Sequence, residues 1–162
     1  MARTHGRIKV EVWDVGSDYR LLSLDAQWAF TMLISQPTVT MCGTLPFAPK
    51  RWAKLAARLT LDRLEDAIRE LEDSWYVIVD RDTDEILIRT MVKHDRAWSN
   101  PKLVESARRR FKEIESEVIR DYLIQRHAWL SDETVDAQQY EEEREKEQPL
   151  ERTIELPIGR AS

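Results

Sequence analysis

Four basic residues recur at spacings that would place them on one face of a single helix. They are Lys50, Arg51, Lys54 and Arg58, with no acidic residue between them. Cations held this close repel one another unless an anion offsets their charge. The phosphates of a nucleic-acid backbone are such an anion. The alternative is a solvated basic face that pairs with carboxylates elsewhere in the chain, and the pattern favours phosphate contact.

Five further arginines could extend this contact to DNA. Arg63 and Arg69 lie in the next predicted helix, toward the flanks of its solvent face. Arg81 lies in a polar turn, and Arg3 and Arg7 belong to a basic N-terminal arm. The helix with the first two is otherwise acidic on its solvent side, and phosphates repel such a face. Its acidic residues are Asp62, Asp66, Glu70 and Asp73. Two interpretations therefore stay open: DNA contact that reads few bases, or a surface that binds another protein.

Two helices must position most of these residues. Pro49 is typical of a first helical turn and Thr60 of an N-cap, which predicts helices over residues 50–59 and 61–73. Apolar residues recur at helical spacing along the second helix. The short connection between them predicts a helix-turn-helix.

Strands are predicted on both sides of this pair. Two β-branched runs around a polar turn predict a hairpin over residues 75–79 and 86–88. Alternation of apolar and charged residues predicts another strand over residues 8–13. The predicted fold class is mostly α with a small β-hairpin wing (α+β), a winged helix-turn-helix followed by a long C-terminal helix.

That long helix is predicted over residues 100–130, where Asn100-Pro101 is a capping signature. Its apolar stripe has near-heptad spacing, which suits a two-fold seam between identical helices. The stripe consists of Val104, Ala107, Phe111, Ile114, Val118 and Tyr122. We therefore predict a homodimer. The alternative is a monomer whose helix bends near Asp121 and folds back on its own domain.

Charge divides the chain near residue 130. The 162 residues carry a net charge of −5, but residues 1–130 hold 21 basic and 20 acidic residues while residues 131–162 hold 4 and 10. This predicts a winged helix-turn-helix domain over 1–99, the long helix over 100–130, and an acidic, mobile tail over 131–162. An apolar cluster at residues 154–158 is the candidate contact of this tail with a protein partner.

The sequence lacks the patterns of several other chemistries. Cys42 is the only cysteine, which excludes a disulfide framework and a thiolate cluster. Three scattered histidines and four glycines form neither a metal-ligand pattern nor a phosphate-binding glycine loop. We predict no metal, no cofactor and no enzymatic activity. No apolar run reaches membrane-spanning length, and the expected location is the cytoplasm.

Several stretches of the first 110 residues together resemble a known group of proteins. They are residues 8–13, Leu22-Ser23-x-x-Ala26-Gln27, Leu33-Ile34-Ser35-Gln36-Pro37, Gly43-Thr44-Leu45-Pro46, Arg51-Trp52-Ala53-x-Leu55, Leu71-Glu72 leading into Val77-Ile78-Val79-Asp80, and His94-Asp95. With these the chain resembles small winged-helix proteins of actinobacterial phages and prophages, described as helix-turn-helix or replication-initiation-like. The resemblance implies a winged helix, binding of duplex DNA, and a role in phage replication or gene control. The other interpretation is a winged helix that docks a host or phage protein.

Overall fold

The computed structural model describes residues 4–147, which form an α+β fold of helices around one antiparallel sheet. The α-helices are α1 (Leu24–Ile34), α2 (Pro49–Trp52), α3 (Leu61–Asp73), α4 (Met91–His94), α5 (Pro101–Lys112), α6 (Glu117–Arg126) and α7 (Ala137–Glu147). The strands are β1 (Thr44–Pro46), β2 (Val77–Asp80) and β3 (Glu85–Ile88). Short 3₁₀ turns cover Val10–Trp13, Asp18–Leu21, Ala53–Leu55 and Ala128–Leu130. The predicted α+β class is confirmed.

The sheet is built around β3, which pairs with a strand on each side. β2 and β3 form the predicted hairpin, with Val77 opposite Ile88. β1 joins the other edge of β3, with Leu45 opposite Ile86. The strand order is therefore β1-β3-β2.

The first hydrophobic core lies between α1, α3 and the sheet. Thr60 caps α3 as predicted, because its hydroxyl accepts a hydrogen bond from the Arg63 N–H. Leu64, Ile68 and Leu71 form the buried stripe of that helix. The N-cap thus sets the start of α3, and the spacing of its apolar residues sets the face that packs against α1.

A second hydrophobic core lies between α5, α6, α7 and the 3₁₀ turn at Ala128–Leu130. Phe111, Ile119, Leu123 and Trp129 are all buried in it. Cys42 also belongs to it, and its thiol donates to the Ala107 carbonyl oxygen at 3.1 Å. Burial raises the pKa of Cys42 to about 12, so this thiol is part of the packing and is not a nucleophile.

Strand β3 supplies side chains to both cores. Ile86 and Ile88 lie in the first core and Leu87 lies in the second. Successive strand residues point to opposite faces of a sheet, so the sheet separates the two cores and is covered by both. Residues on each side of position 99 therefore pack together through this strand.

The strand predicted over residues 8–13 is wrong, because Val10–Trp13 is a 3₁₀ turn. Val10 and Trp13 remain 78% and 60% exposed. The alternation of apolar residues there does not mark a buried face, and no described strand lies beside this segment.

The helix predicted over residues 50–59 is shorter than expected. α2 ends at Trp52, the 3₁₀ turn Ala53–Leu55 follows, and Ala56 is extended with φ −127° and ψ 125°. Trp52 is fully buried while Leu55 is 56% exposed. The apolar residues of this stretch therefore do not form the single helical face that the sequence suggested.

The long helix predicted over residues 100–130 is also wrong, because α5 ends at Lys112 and α6 begins at Glu117. Ser116 caps α6 by accepting from the Ile119 N–H. The Glu85 carboxylate accepts from the backbone N–H groups of Glu115 and Ser116 at 3.2 and 2.6 Å. These acceptors satisfy N–H groups that a continuous helix would have paired internally.

The predicted dimer seam is largely occupied within one chain. Ala107, Phe111 and Ile114 are buried in the second core, and Val104 and Tyr122 pack against it. Val118 alone of the six points away, at 61% exposed. The homodimer predicted from this stripe therefore loses its structural basis.

The mobile tail predicted over residues 131–162 is wrong for its first half. Residues 137–147 form α7, and Ala137 and Glu141 are buried. The cluster at residues 154–158 lies outside the described residues. None of the described helices combines the length and apolar character needed to cross a bilayer.

Candidate nucleic-acid interface

The four residues that we call the basic segment, Lys50, Arg51, Lys54 and Arg58, are exposed. The first two lie in α2, Lys54 lies in the following 3₁₀ turn, and Arg58 lies in the loop that leads to α3. None of the four forms an ion pair within residues 4–147. Four cations are thus presented to solvent by nine consecutive residues.

Buried neighbours hold the backbone of the basic segment in place. Trp52 and Ala53 are 0% and 8% exposed, and the Trp52 ring meets Phe47 edge-on at a centroid distance of 5.7 Å. Leu59 packs against the first core just beyond Arg58. Because the apolar residues anchor the chain on both sides, the charged side chains are oriented outward without needing carboxylate partners.

Arg63 makes its contacts inside the fold. Its guanidinium makes a bidentate contact with Asp25 of α1 at 2.9 and 2.7 Å. It also donates to the Arg58 carbonyl oxygen at 3.0 Å. The hydrogen bonds to Asp25 raise the pKa of Arg63. Arg63 therefore joins α3 to α1 and to the loop before it.

The other two predicted arginines of this region also have partners. Arg69 pairs with Asp66 one turn away at 2.8 Å. Arg81 makes a bidentate contact with Glu72 at 3.0 and 2.7 Å, and its guanidinium lies 5.6 Å from the centre of the Phe47 ring. A phosphate would have to displace these carboxylates, whereas it would displace only water from the basic segment.

Of the two predicted arginines in the N-terminal arm, one lies in the described residues. Arg7 is exposed. Arg3 lies outside the described residues, so its predicted contact stays a prediction.

The exposed side of α3 keeps an acidic character. Asp62 and Asp73 are exposed and have no cationic partner in residues 4–147. Glu70 is used inside the fold, since it accepts from the Ser23 N–H at 2.7 Å and from the Ser23 hydroxyl at 2.5 Å. With Arg63 and Arg69 already paired, this surface repels phosphate.

The β2–β3 hairpin is fastened to the α5–α6 link, which the sequence did not indicate. The Ser116 hydroxyl donates to Asp80 at 2.6 Å, and Glu85 accepts the two backbone N–H groups of that link described above. The hydrogen bond from Ser116 lowers the pKa of Asp80. The N-cap signature at Ser116-Glu117 was the available signal for the helix start, but its partner Asp80 is 36 residues away.

Comparisons with known proteins add no relative. No protein-family model matches the sequence, and neither the search of curated proteins nor that of solved structures gave a match.

Proposed function

We propose that this chain is a winged-helix protein that binds duplex DNA mainly through its phosphates. The observation that carries the proposal is the basic segment, four exposed cations that no carboxylate of the described chain neutralises. In line with the resemblance of its sequence, it acts in phage or prophage replication or transcription control, in the cytoplasm of the bacterial host.

The order of elements supports a winged helix. Helix α1, strand β1, helices α2 and α3 and the β2–β3 hairpin follow one another, and β1 closes the sheet beside β3. In helix-turn-helix proteins the first helix of the motif crosses the phosphate backbone. α2 with its 3₁₀ extension stands in that position, and three of the four cations lie on it.

The charge of α3 supports binding with little base readout. Recognition helices usually present arginine, asparagine or glutamine to base edges, whereas the unpaired side chains of this face include Asp62 and Asp73. Affinity that comes from phosphate contacts falls steeply with salt and depends little on sequence. We expect both properties here.

Fluorescence anisotropy with a random-sequence duplex at several salt concentrations tests the proposal. The double variant Arg51→Ala, Lys54→Ala is expected to flatten the slope of log affinity against log salt by about one to two units, equally for unrelated sequences. The matched control is Lys102→Ala, Arg109→Ala, which removes two exposed cations from α5. An unchanged slope in the first variant, or an equal loss in the control, contradicts contact through the basic segment.

The acidic surface of α3 favours a second candidate function, the docking of another protein. Asp62 and Asp73 would then face basic groups of a host or phage partner. Failure of the wild-type chain to bind any duplex at low salt would contradict the first proposal and leave this one. Substitution of both residues by Asn would in that case weaken the partner complex, whereas under the first proposal it would strengthen DNA binding.

A further inference from the structure

Trp75 holds a backbone conformation that glycine usually supplies. Its φ is 59°, and it directly follows Ser74, the C-cap of α3. The Tyr76 N–H donates to the Leu71 carbonyl at 2.8 Å and the Trp75 N–H to the Glu72 carbonyl at 3.0 Å. This is a Schellman ending, in which glycine is the usual residue at the position of Trp75. Strained positions of this kind concentrate at functional sites.

The side chain of Trp75 contributes little packing to the core. It is 50% exposed, and its described ring contact is with Arg89, whose guanidinium carbon lies 5.1 Å from the ring centre. Half of the indole is therefore open to solvent, and an aromatic ring exposed in this way is available for stacking.

Arg89 retains unused hydrogen-bonding capacity beside that ring. Its guanidinium also lies 5.1 Å from the Tyr122 ring centre and donates through Nε to the Tyr122 hydroxyl at 3.0 Å. One terminal nitrogen donates to the Trp75 carbonyl oxygen. The other terminal nitrogen has no acceptor within residues 4–147, and no carboxylate pairs with Arg89 there. The N–H groups that remain on such a planar cation can donate to phosphate oxygens.

These two residues line a cleft of about 840 Å³ at the junction of the two cores. The wall contains five lysines and arginines against four carboxylates. One of those carboxylates, Glu141, is engaged by His127 and Trp129 at 2.5 and 2.7 Å. By formal charge the wall thus has one more cation than carboxylates, and the volume lies in the range of small-molecule sites.

We propose that this cleft binds a 5′-phosphorylated nucleotide. The base stacks on the exposed Trp75 ring, and the phosphate takes the free N–H groups of Arg89 with Lys93 nearby on the wall. A nucleotide combines a planar π-system with a dianion, which is the pair of features that the aromatic ring and the guanidinium recognise. The site does not involve the basic segment, so it stands or falls independently of duplex binding.

Calorimetric titration of the full chain with adenosine and thymidine 5′-monophosphates tests the site. Both are expected to bind, and Arg89→Gln is expected to weaken them about tenfold or more. The matched control Arg109→Gln removes an exposed cation of α5 and is expected to leave affinity unchanged. Absence of binding at millimolar nucleotide, or equal binding by the Arg89 variant, overturns the proposal.

The variant Trp75→Gly separates binding from folding. Glycine suits a positive φ, so the melting temperature is expected to stay level or rise, while nucleotide affinity falls about tenfold because base stacking is lost. Affinity equal to that of the wild type overturns the stacking role. Inorganic phosphate is expected to bind at least about tenfold more weakly than either nucleotide, and equal affinity also contradicts base stacking.

Two sources supply this chemistry, a free nucleotide or the 5′ end of single-stranded DNA. A 5′-phosphorylated hexanucleotide titrated in parallel distinguishes them, because tighter binding than the monophosphate identifies the strand end. Equal or weaker binding identifies the free nucleotide. Duplex affinity measured on the same variants is expected to be unchanged, so a failure of this site is visible separately from a failure of the basic segment.

Discussion

The Ser116 hydroxyl donates to Oδ2 of Asp80 at 2.6 Å and thereby joins the α5–α6 link to the end of β2. The same hydroxyl oxygen caps α6 by accepting from the Ile119 N–H at 3.2 Å. One buried side chain thus binds the hairpin and caps a helix. A hairpin held in this way is a rigid part of the fold, not a mobile arm.

Replacement of Ser116 by Ala is expected to lower the free energy of unfolding by about 1–2 kcal/mol, the usual effect of losing an N-cap. Urea unfolding followed by far-UV circular dichroism measures it. The control Ser99→Ala changes an exposed serine and is expected to have little effect. Equal stability of the two variants contradicts the role given to Ser116.

The carboxylate of Asp80 makes part of the stability dependent on pH. The hydrogen bond from Ser116 lowers its pKa in the folded chain. Its contribution is therefore complete above the unfolded pKa of about 3.9 and is lost as the pH falls through the lower, folded pKa. We expect the difference in melting temperature between wild type and Asp80→Asn to shrink from pH 7 to pH 3. A difference that is constant over this range would show that the charge of Asp80 does not matter.

Phe111 and Val118 lie on the same predicted stripe but have opposite environments, at 3% and 61% exposed. Phe111→Glu is expected to destabilise the second core by about 3–5 kcal/mol. Val118→Glu is expected to change stability by less than about 0.5 kcal/mol. Light scattering at micromolar concentration is expected to give a monomer mass for the wild type. A dimer mass for the wild type that is lost in the folded Val118→Glu variant would instead support the predicted seam.

Glu141 anchors α7, because its Oε1 lies 2.5 Å from His127 Nδ1 and 2.7 Å from Trp129 Nε1. Glu141→Ala leaves both buried donors without an acceptor and is expected to cost about 2–4 kcal/mol. Glu142→Ala, one residue along and exposed, is the control. If both variants melt like the wild type, residues 137–147 do not stabilise the second core.

Local signals predicted the parts of the fold that local contacts make. The cap at Thr60 and the apolar spacing of Leu64, Ile68 and Leu71 lie within one helix, so α3 was predicted with its observed bounds. The break between α5 and α6 depends on Glu85, which is 30 residues from Glu115 in sequence. Such a distant acceptor cannot be recognised in the sequence of the helix itself, so the apolar spacing alone predicts one long helix.

The candidate site also has features that local sequence signals predict and features that they do not. Exposure of the basic segment follows from residue type, because lysine and arginine are rarely buried without partners. Which arginines are neutralised does not follow, since Arg63 is paired by Asp25 from α1 and Arg81 by Glu72 from α3. The special backbone of Trp75 gave no sequence signal either, because the ending it forms usually carries glycine.

Because β3 gives Ile86 and Ile88 to one core and Leu87 to the other, the chain cannot be divided at residue 99 into an independent module. Removal of everything after that position would uncover Leu87 and Cys42, both fully buried, on the face of a three-stranded sheet. We therefore expect the two halves to unfold in one cooperative transition, since neither face of the sheet is covered without its own set of helices.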